Sequence, residues 1–514
     1  MEAQSIHIQE NLISEPVKQS PVSWYKNIPL NPNTNSSVQL NANGNPQSTI
    51  QIPPGNVYNN WYSALSFVIP NLKGVAIGAG TQTSCNTFSN FFPWINKLEF
   101  FTSNNNTYLV NVSQVDTINK MISSCELNYE KRKRNLDPFL YDSWRGQQTV
   151  GNQPNPPTFT ALDTESIVPT GRIIAPVSNN YGGSILCDTN LYGTAISPAN
   201  YGNISLVGSV DSPSYYETGE FDANLSQLAR TVNIPLRDIL PGNSIFSVDK
   251  DIYSSNVLYL RITWNNVNKL GFGSIDNDLT APAKFVSMAS INPTITITNI
   301  TLNMYIQANP EICQMIVERS RQQEIIMVPM LQTNSYQMNG TSQNTTFKIT
   351  STNPLSRLWK SYYGVFNADA YTNGALIQVN NNNNDSGSIE IGGGQAYQKY
   401  GNLQLYLDGE LYLQLNQQRL DFYRYVVDHW KNHSYPTLLD YNENPAIAIL
   451  YDSDCVHSDK VDPYIVRGKT LRNNECQINH NITTTNSSFT HYIATCLLQP
   501  IYMKQGVLSV IPFE

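Results

Sequence analysis

Hydrophobic and polar positions alternate with period two in two distant stretches, and in both the alternation gives way to helical spacing. Residues 94–124 read WINKLEFFTSNNNTYLVNVSQVDTINKMISS and residues 402–430 read NLQLYLDGELYLQLNQQRLDFYRYVVDHW. In the first, Leu98 and Phe100 alternate with polar neighbours, the chain turns through Ser103-Asn104-Asn105-Asn106, and Tyr108, Val110 and Val112 alternate again. In the second, Leu403, Leu405 and Leu407 alternate, Asp408-Gly409 turns, and Leu411, Leu413 and Leu415 follow. Period two gives a strand one buried face, and Asp-Gly between two such runs signals a hairpin. Val115, Ile118, Met121 and Ile122 then fall at helical spacing, as do Leu420, Tyr423, Val426, Val427 and Trp430. A repeat that distant is no solenoid; it predicts two β domains of one design in tandem.

The rest of the pattern fits that frame. Residues 1–45 are polar, lack periodicity and are expected to form an extended arm. A first β region is expected over 46–315, with strands at 38–52, 64–69, 228–235, 243–248, 256–264, 283–289 and 295–306. The irregular stretch 135–222 within it is too long for an ordinary loop, and so is functional or a surface elaboration. Residues 309–324 predict a helix joining the domains, with Pro310 in its first turn and Ile312, Met315 and Ile316 on one face. The second region, 316–514, is expected to hold strands at 325–331, 344–349, 491–498 and 507–511, with a loop from 431 to 488. Short strands and long loops between particular strands read as antiparallel sandwiches of jelly-roll type. The fold class is therefore mainly β: two tandem antiparallel eight-stranded jelly rolls with short flanking helices.

Composition narrows the function. A chain of 514 residues exceeds one hydrophobic core. Charged residues are 14%, well under the usual quarter, and Asn, Gln, Ser and Thr take their place, which suits turn-rich β structure. The net charge of −8 excludes broad wrapping of nucleic acid, so contact with DNA is expected to be local or weak. Seven Cys, sparse and odd in number, do not make a disulfide framework. The polar, acidic start is no signal peptide, and the most apolar window, 61–80, is broken by Pro70, Asn71 and Lys73, so no membrane span is expected. The Asn-x-Ser/Thr triplets at Asn111, Asn203 and Asn339 are then chance matches, and use without secretion is expected.

Candidate chemistry is thin. Gly468-Lys469-Thr470 resembles the tail of a phosphate loop, but Pro463 stands where that loop needs its first glycine. Cys455, His457, Cys476 and His480 have side chains that zinc accepts, with a one-residue first gap that is awkward for it. Asp452, Asp454, Asp459 and Asp462 cluster without the glycine and closing Glu of a calcium loop. Lys131-Arg132-Lys133-Arg134 reads as an import signal, a patch facing genome, or a solvated loop. No nucleophile elbow or zinc-protease motif is present, and the His residues (7, 429, 433, 457, 480 and 491) show no catalytic spacing. His429, beside Trp430, is expected to pack. No catalytic, cofactor or metal residue is assigned, and no enzyme activity is expected. Ser113-Gln114-Val115-Asp116 is a near capping box for the first helix, and Asn416 a candidate N-cap for the second.

The two strand–turn–strand–helix units resemble those of the double jelly-roll major capsid proteins of double-stranded DNA viruses, of the virophage and Polinton-like type. The stretch 233–265, NIPLRDILPGNSIFSVDKDIYSSNVLYLRITWN, is similar to that family's Ile-Pro-Leu…Leu-Pro segment, and NPLSRLW at 353–359 to its early second-domain piece. The resemblance implies a homotrimer whose six jelly rolls form a pseudo-hexagonal capsomer in an icosahedral virion. Neighbouring capsomers, penton and minor capsid proteins would be its partners, and the host cytoplasm the place of synthesis. A carbohydrate-binding or glycan-degrading β-sandwich, or a minor fibre or spike protein, stands as the alternative.

Overall fold

A computed structural model of the chain describes residues 23–69 (apart from 35 and 42), 82–87, 94–128 (apart from 104–106), 131, 230–267, 271–276, 284–287, 295–338, 342–348, 355–367, 400–433 (apart from 408, 417 and 418), 447–451, 461–470 (apart from 465 and 467), 475–482 and 489–510. The first module runs through β1 (Tyr25–Leu30), β2 (Val38–Leu40), β3 (Gln47–Ile52), β4 (Asn56–Ile69), β5 (Gln82–Thr87), β6 (Ile95–Thr102), β7 (Tyr108–Ser113) and helix α1 (Val115–Glu126). It resumes with β8 (Arg230–Pro235), β9 (Asp251–Ser254), β10 (Leu258–Trp264), β11 (Gly271–Asp276), β12 (Lys284–Ser287) and β13 (Ile295–Gln307). Helix α2 (Pro310–Arg319) leads to the second module: β14 (Glu324–Met338), β15 (Ser342–Lys348), β16 (Arg357–Asn367), β17 (Tyr400–Leu407), β18 (Glu410–Asn416) and helix α3 (Arg419–His429). The chain closes with β19 (Ile447–Leu450), β20 (Lys469–Thr470), β21 (Glu475–Ile482), β22 (Phe489–Lys504) and β23 (Val507–Ser509).

Each module is a sandwich of two antiparallel sheets. In the first, the sheet orders are β1-β13-β4-β8 and β3-β10-β6-β7; in the second, β14-β22-β16-β19 and β15-β21-β17-β18. β2 prolongs the place of β1 beside β13, β9 that of β8 beside β4, and β20 that of β19 beside β16. With these interrupted strands counted once, both modules have eight strands, and both place them in the orders 1-8-3-6 and 2-7-4-5. That order, with antiparallel neighbours throughout, is the jelly roll. The chain is a double jelly roll, as the sequence pattern predicts. β5, β11 and β12 form a further small sheet.

Because consecutive strands of the roll alternate in direction, its connections alternate between two ends. At one end lie the tight links 53–55, 103–107 and 255–257, together with α2 and both outermost strand termini. We call this end the base. At the other end lie the long links 70–94, 114–229 and 265–294, and in the second module 368–399 and 417–446. The core of the first module fills the space between its sheets. Phe67 meets Trp264 edge-on at 5.1 Å and Trp94 at 6.1 Å, while Trp264 Nε1 donates to Ser48 Oγ at 2.9 Å.

Several expectations change on contact with this topology. Residues 23–45, within the stretch expected to be an arm, supply β1 and β2; residues 1–22 lie outside the described residues. The module boundary expected at 315/316 falls inside α2. Asn309 caps that helix by accepting from Glu311 N at 2.9 Å, with Pro310 following it. Residues 243–248 are a short 3₁₀ turn at 245–247 rather than a strand. The loop expected over 431–488 contains β19, β20 and β21. These were illegible because β19 and β20 are short and β21, ECQINHNI, carries mostly polar residues while lying between β15 and β17. The insertion 135–222 lies outside the described residues. Gln114, with φ of 57°, and not Ser113, caps α1, and no side chain caps it there. Asn416 ends β18, short of the first residue of α3.

Gly468 marks the start of β20. Its φ is +90°, and a Cβ there would stand 2.3 Å from the carbonyl oxygen of Leu358. Gly468→Ala is expected to cost about 1–3 kcal/mol through strain and displacement of the β16 edge. A thermal midpoint equal to that of the wild type would contradict this.

Candidate functional site

The two modules meet through a polar cluster that neither could bury alone. Helix α1 lies on the flank of the first module and also against β16 and β19 of the second. Its apolar stripe, Val115, Ile118, Met121, Ile122 and Cys125, is fully buried. At its C-terminal end Glu126 forms an ion pair with Lys360 of β16 at 2.7 Å, both side chains wholly excluded from solvent. The hydroxyl of Tyr362, also on β16, donates to the same carboxylate. Asn243 Nδ2 donates to Tyr362 Oη at 3.2 Å and to the carbonyl of Pro241 at 2.6 Å. The ammonium of Lys360 also lies 4.0 Å from the ring centroid of Trp359.

The loop from Leu236 to Lys250 closes over this pair. It interrupts the strand formed by β8 and β9, and it carries the Leu-Pro-Gly-Asn turn at 240–243. Asn119 of α1 pins that turn by donating to the carbonyls of Asp238 at 3.3 Å and Ile239 at 2.9 Å. Gly242, with φ of +67°, faces the pair so closely that a Cβ would lie 2.6 Å from Glu126 Oε2 and 2.9 Å from Lys360 Nζ. The second module answers with the break between β19 and β20: Val461 N donates to Ser247 O at 3.0 Å. Burying two charges costs several kcal/mol, which their attraction offsets only in good geometry with further hydrogen bonds. Such a cluster contributes less to stability than to fixing one arrangement of the two surfaces.

The surroundings are chemically quiet. Burial, and then the charge and hydrogen bonding of Glu126, push the Tyr362 phenol well above its ordinary value. Burial pushes the Cys496 thiol up to about 12, with Lys360 drawing it partly back and Glu126 adding to the rise. Neither can act as an acid or nucleophile near neutrality.

A second seam lies at the base, around a cleft of about 310 Å³ shared by β9, α2, β14 and the β22–β23 turn. There Lys250 pairs with Glu324, Tyr464 Oη donates to Glu324 Oε1 at 2.6 Å, and Arg319 lies 3.3 Å from the same oxygen. Asp251 accepts from Tyr25 at 3.0 Å, Asn59 at 2.8 Å and Gln307 at 3.1 Å. Burial raises Glu324, but hydrogen bonds from Lys250 and Tyr464 and the charges of Lys250 and Arg319 outweigh it and leave the carboxyl below its ordinary value. Burial lowers Lys250 despite Glu324.

The motifs weighed in the sequence do not converge on a site. Lys469-Thr470 is a strand edge paired with Leu358 and Arg357, not a phosphate loop. Cys476 and His480 lie four residues apart on one strand, about 13 Å of rise, too far to share one zinc ion. Cys455, His457, Asp452, Asp454 and Asp459 lie outside the described residues, as do Arg132, Lys133 and Arg134. Asp462 accepts from Tyr464 N at 2.9 Å in a local turn. The ring of His429 stacks on Tyr425 at 4.1 Å, a packing role. Among the described residues no group of three metal-ligating side chains gathers, and no helix is long and apolar enough to cross a membrane. The junction itself escaped sequence reasoning. Its signals were a lone lysine inside the apolar run LWKSYYG and a glutamate ending an apolar helical stripe.

The fold and junction define a double jelly-roll protein built on a fixed pair of modules. No protein-family model matches the chain, and no curated protein matches it. Among solved structures it is similar to the chain of a PBCV-1 virus capsid quasi-atomic model, at 8% identity over 98% of this chain and 100% of that one, TM-score 0.49. It is also similar to a chain of the Sputnik virophage structure, at 13% identity over 96% and 89%, TM-score 0.45. A third is the mavirus major capsid protein, at 12% identity over 97% and 93%, TM-score 0.41.

Two measurements probe these seams. Lys360→Met leaves Glu126 buried without its cation and is expected to cost about 3–5 kcal/mol, while Lys360→Met with Glu126→Gln recovers most of that loss. Equal losses from the single and double variants, in denaturant titrations, would refute the pairing. At the base, the depressed value of Glu324 contributes stability that is complete above its ordinary value of 4.5 and is lost as pH falls through the depressed one. The difference in thermal midpoint between wild type and Glu324→Gln should therefore shrink between pH 6 and pH 3; a constant difference would contradict it.

Proposed function

We propose that this chain is the major structural subunit of a viral shell: three copies close into a pseudo-hexameric block, and blocks tile an icosahedral capsid. The observation that carries the reading is the duplication. One chain presents the same eight-strand order twice, with a fixed junction between the copies, so three chains supply six like modules. Closed rings form when a head-to-tail contact repeats with a rotation that closes.

The viral assignment draws on the sequence resemblance of the two hairpin–helix units and of the Ile-Pro-Leu…Leu-Pro segment. The physical properties suit it. The long connections gather at one end of each module, where an outer surface can vary without disturbing the sheets. Low charge limits repulsion between packed copies. A net charge of −8 restricts contact with packaged DNA to local patches, of which Lys131–Arg134 is the candidate. Neighbouring capsomers, penton and minor capsid proteins are its proposed partners, and the virion its location after synthesis in the host cytoplasm. The work is assembly, and no catalytic role is assigned.

Purified protein at micromolar concentration is expected to scatter light as a trimer and to show hexagonal blocks in negative stain. A persistent monomer, or blocks of two-fold symmetry, would overturn the proposal.

A further inference from the structure

The buried junction holds more chemistry than an ion pair needs. An amine, a carboxylate and a carboxamide, from three separate segments of the chain, share one cluster. Lys360 Nζ lies 2.7 Å from Glu126 Oε1, with both side chains wholly excluded from solvent. Asn243 is 1% exposed. Its Nδ2 donates to Tyr362 Oη at 3.2 Å, and that hydroxyl donates to Glu126 Oε1. Its Oδ1 is also buried and meets no donor among the described residues. A buried carbonyl oxygen without a donor is costly, and holding Tyr362 uses only the other end of the carboxamide. The turn from Leu240 to Asn243 brings that carboxamide up to the amine. Asn243 N donates to Leu240 O at 3.0 Å, and Lys360 Nζ stands 2.9 Å from where a side chain at Gly242 would begin.

We propose that Lys360 and Asn243 join through a spontaneous isopeptide bond, with Glu126 carrying the protons. An amine attacks only without its proton, and Glu126 is in contact to take it. In a core that cannot solvate them, that transfer removes two charges at once. Nζ then leaves Glu126 and closes on the carboxamide carbon, which needs the two atoms within about 3–3.5 Å. The new C–N bond forms as the carbonyl electrons move onto Oδ1, and their return breaks the bond to Nδ2. Of the ammonium's three protons, one stays on the new amide. The other two pass through Glu126 to Nδ2, which departs as ammonium and leaves Glu126 the carboxylate it was. Tyr362 Oη bridges Glu126 and Nδ2 and can hand each proton on, ending neutral every time. Nothing is oxidised or reduced. The ring centroid of Trp359 lies 4.0 Å from Nζ and that of Trp430 6.5 Å from the Tyr362 ring. Both indoles are buried and keep water from the carbon, so hydrolysis to aspartate does not compete. The ion pair belongs to the freshly folded chain, and the bond replaces it with a covalent tie between the modules. It forms within one chain and does not depend on the assembly reading.

The test is the intact mass of the full chain, held at neutral pH for several days and then denatured. The expected mass is that of the sequence less one ammonia, and trypsin is expected to release a branched peptide joining the Asn243 and Lys360 segments. Asn243→Asp is expected to lose one water instead and to give the same branch. Glu126→Gln keeps the amine and the carboxamide without the proton carrier, and is expected to keep its full mass. A wild type of full mass with no branched peptide overturns the proposal, whether or not the variants fold. Loss of water from the wild type would put the bond on Glu126 and overturn the assignment to Asn243. A branch that forms as readily in Glu126→Gln would remove Glu126 from the step.

Discussion

The arrangement of the two modules depends on a carboxylate and an ammonium held together out of water. Glu126 and Lys360 come from different jelly rolls, and every polar atom added around them, from Tyr362 and Asn243, tightens the geometry in which their burial is tolerable. An apolar seam could slide or rotate at small cost. A fully buried ion pair cannot, since displacing either partner leaves a bare charge in a low-dielectric core. The Leu-Pro-Gly-Asn turn finds its physical reason here. Glycine is required at 242 because the pair occupies the space a side chain would take, and asparagine at 243 because the phenol of Tyr362 needs a donor.

Rigidity of this junction matters more for an assembling protein than for an enzyme. A repeated head-to-tail contact closes into a ring only if each step rotates by the same amount. In the proposed ring half of those steps would lie within the chain, and an internal angle that wandered would spoil closure. The base seam, with Lys250, Glu324, Arg319 and Tyr464, holds the same two modules at the far end of the block, and two separated attachment points resist twisting better than one.

The sequence displayed the modules plainly but hid how they meet. Alternation at Leu98, Phe100, Val110 and Val112, and at Leu405, Leu407 and Leu415, reports local burial against one's own partner sheet, which is why the hairpins and helices could be read from periodicity alone. β19 and β20 were illegible because they are only four and two residues long, and β21 because its mostly polar sequence hides a strand that lies between two others. Ser113 misled because local capping chemistry gave way to a left-handed Gln114 that turns β7 straight into α1. Glu126 and Lys360 are 234 positions apart, and nothing in the spacing of either announces the other. Their pairing is a property of the packed modules.

The central claim is that the buried Glu126–Lys360 pair fixes one arrangement of the two jelly rolls within the chain. Electron cryo-microscopy of the purified protein tests it most directly. The account predicts a single relative orientation of the two modules in every particle, with α1 lying against β16 and β19. Particle classes that differ in that orientation would contradict it.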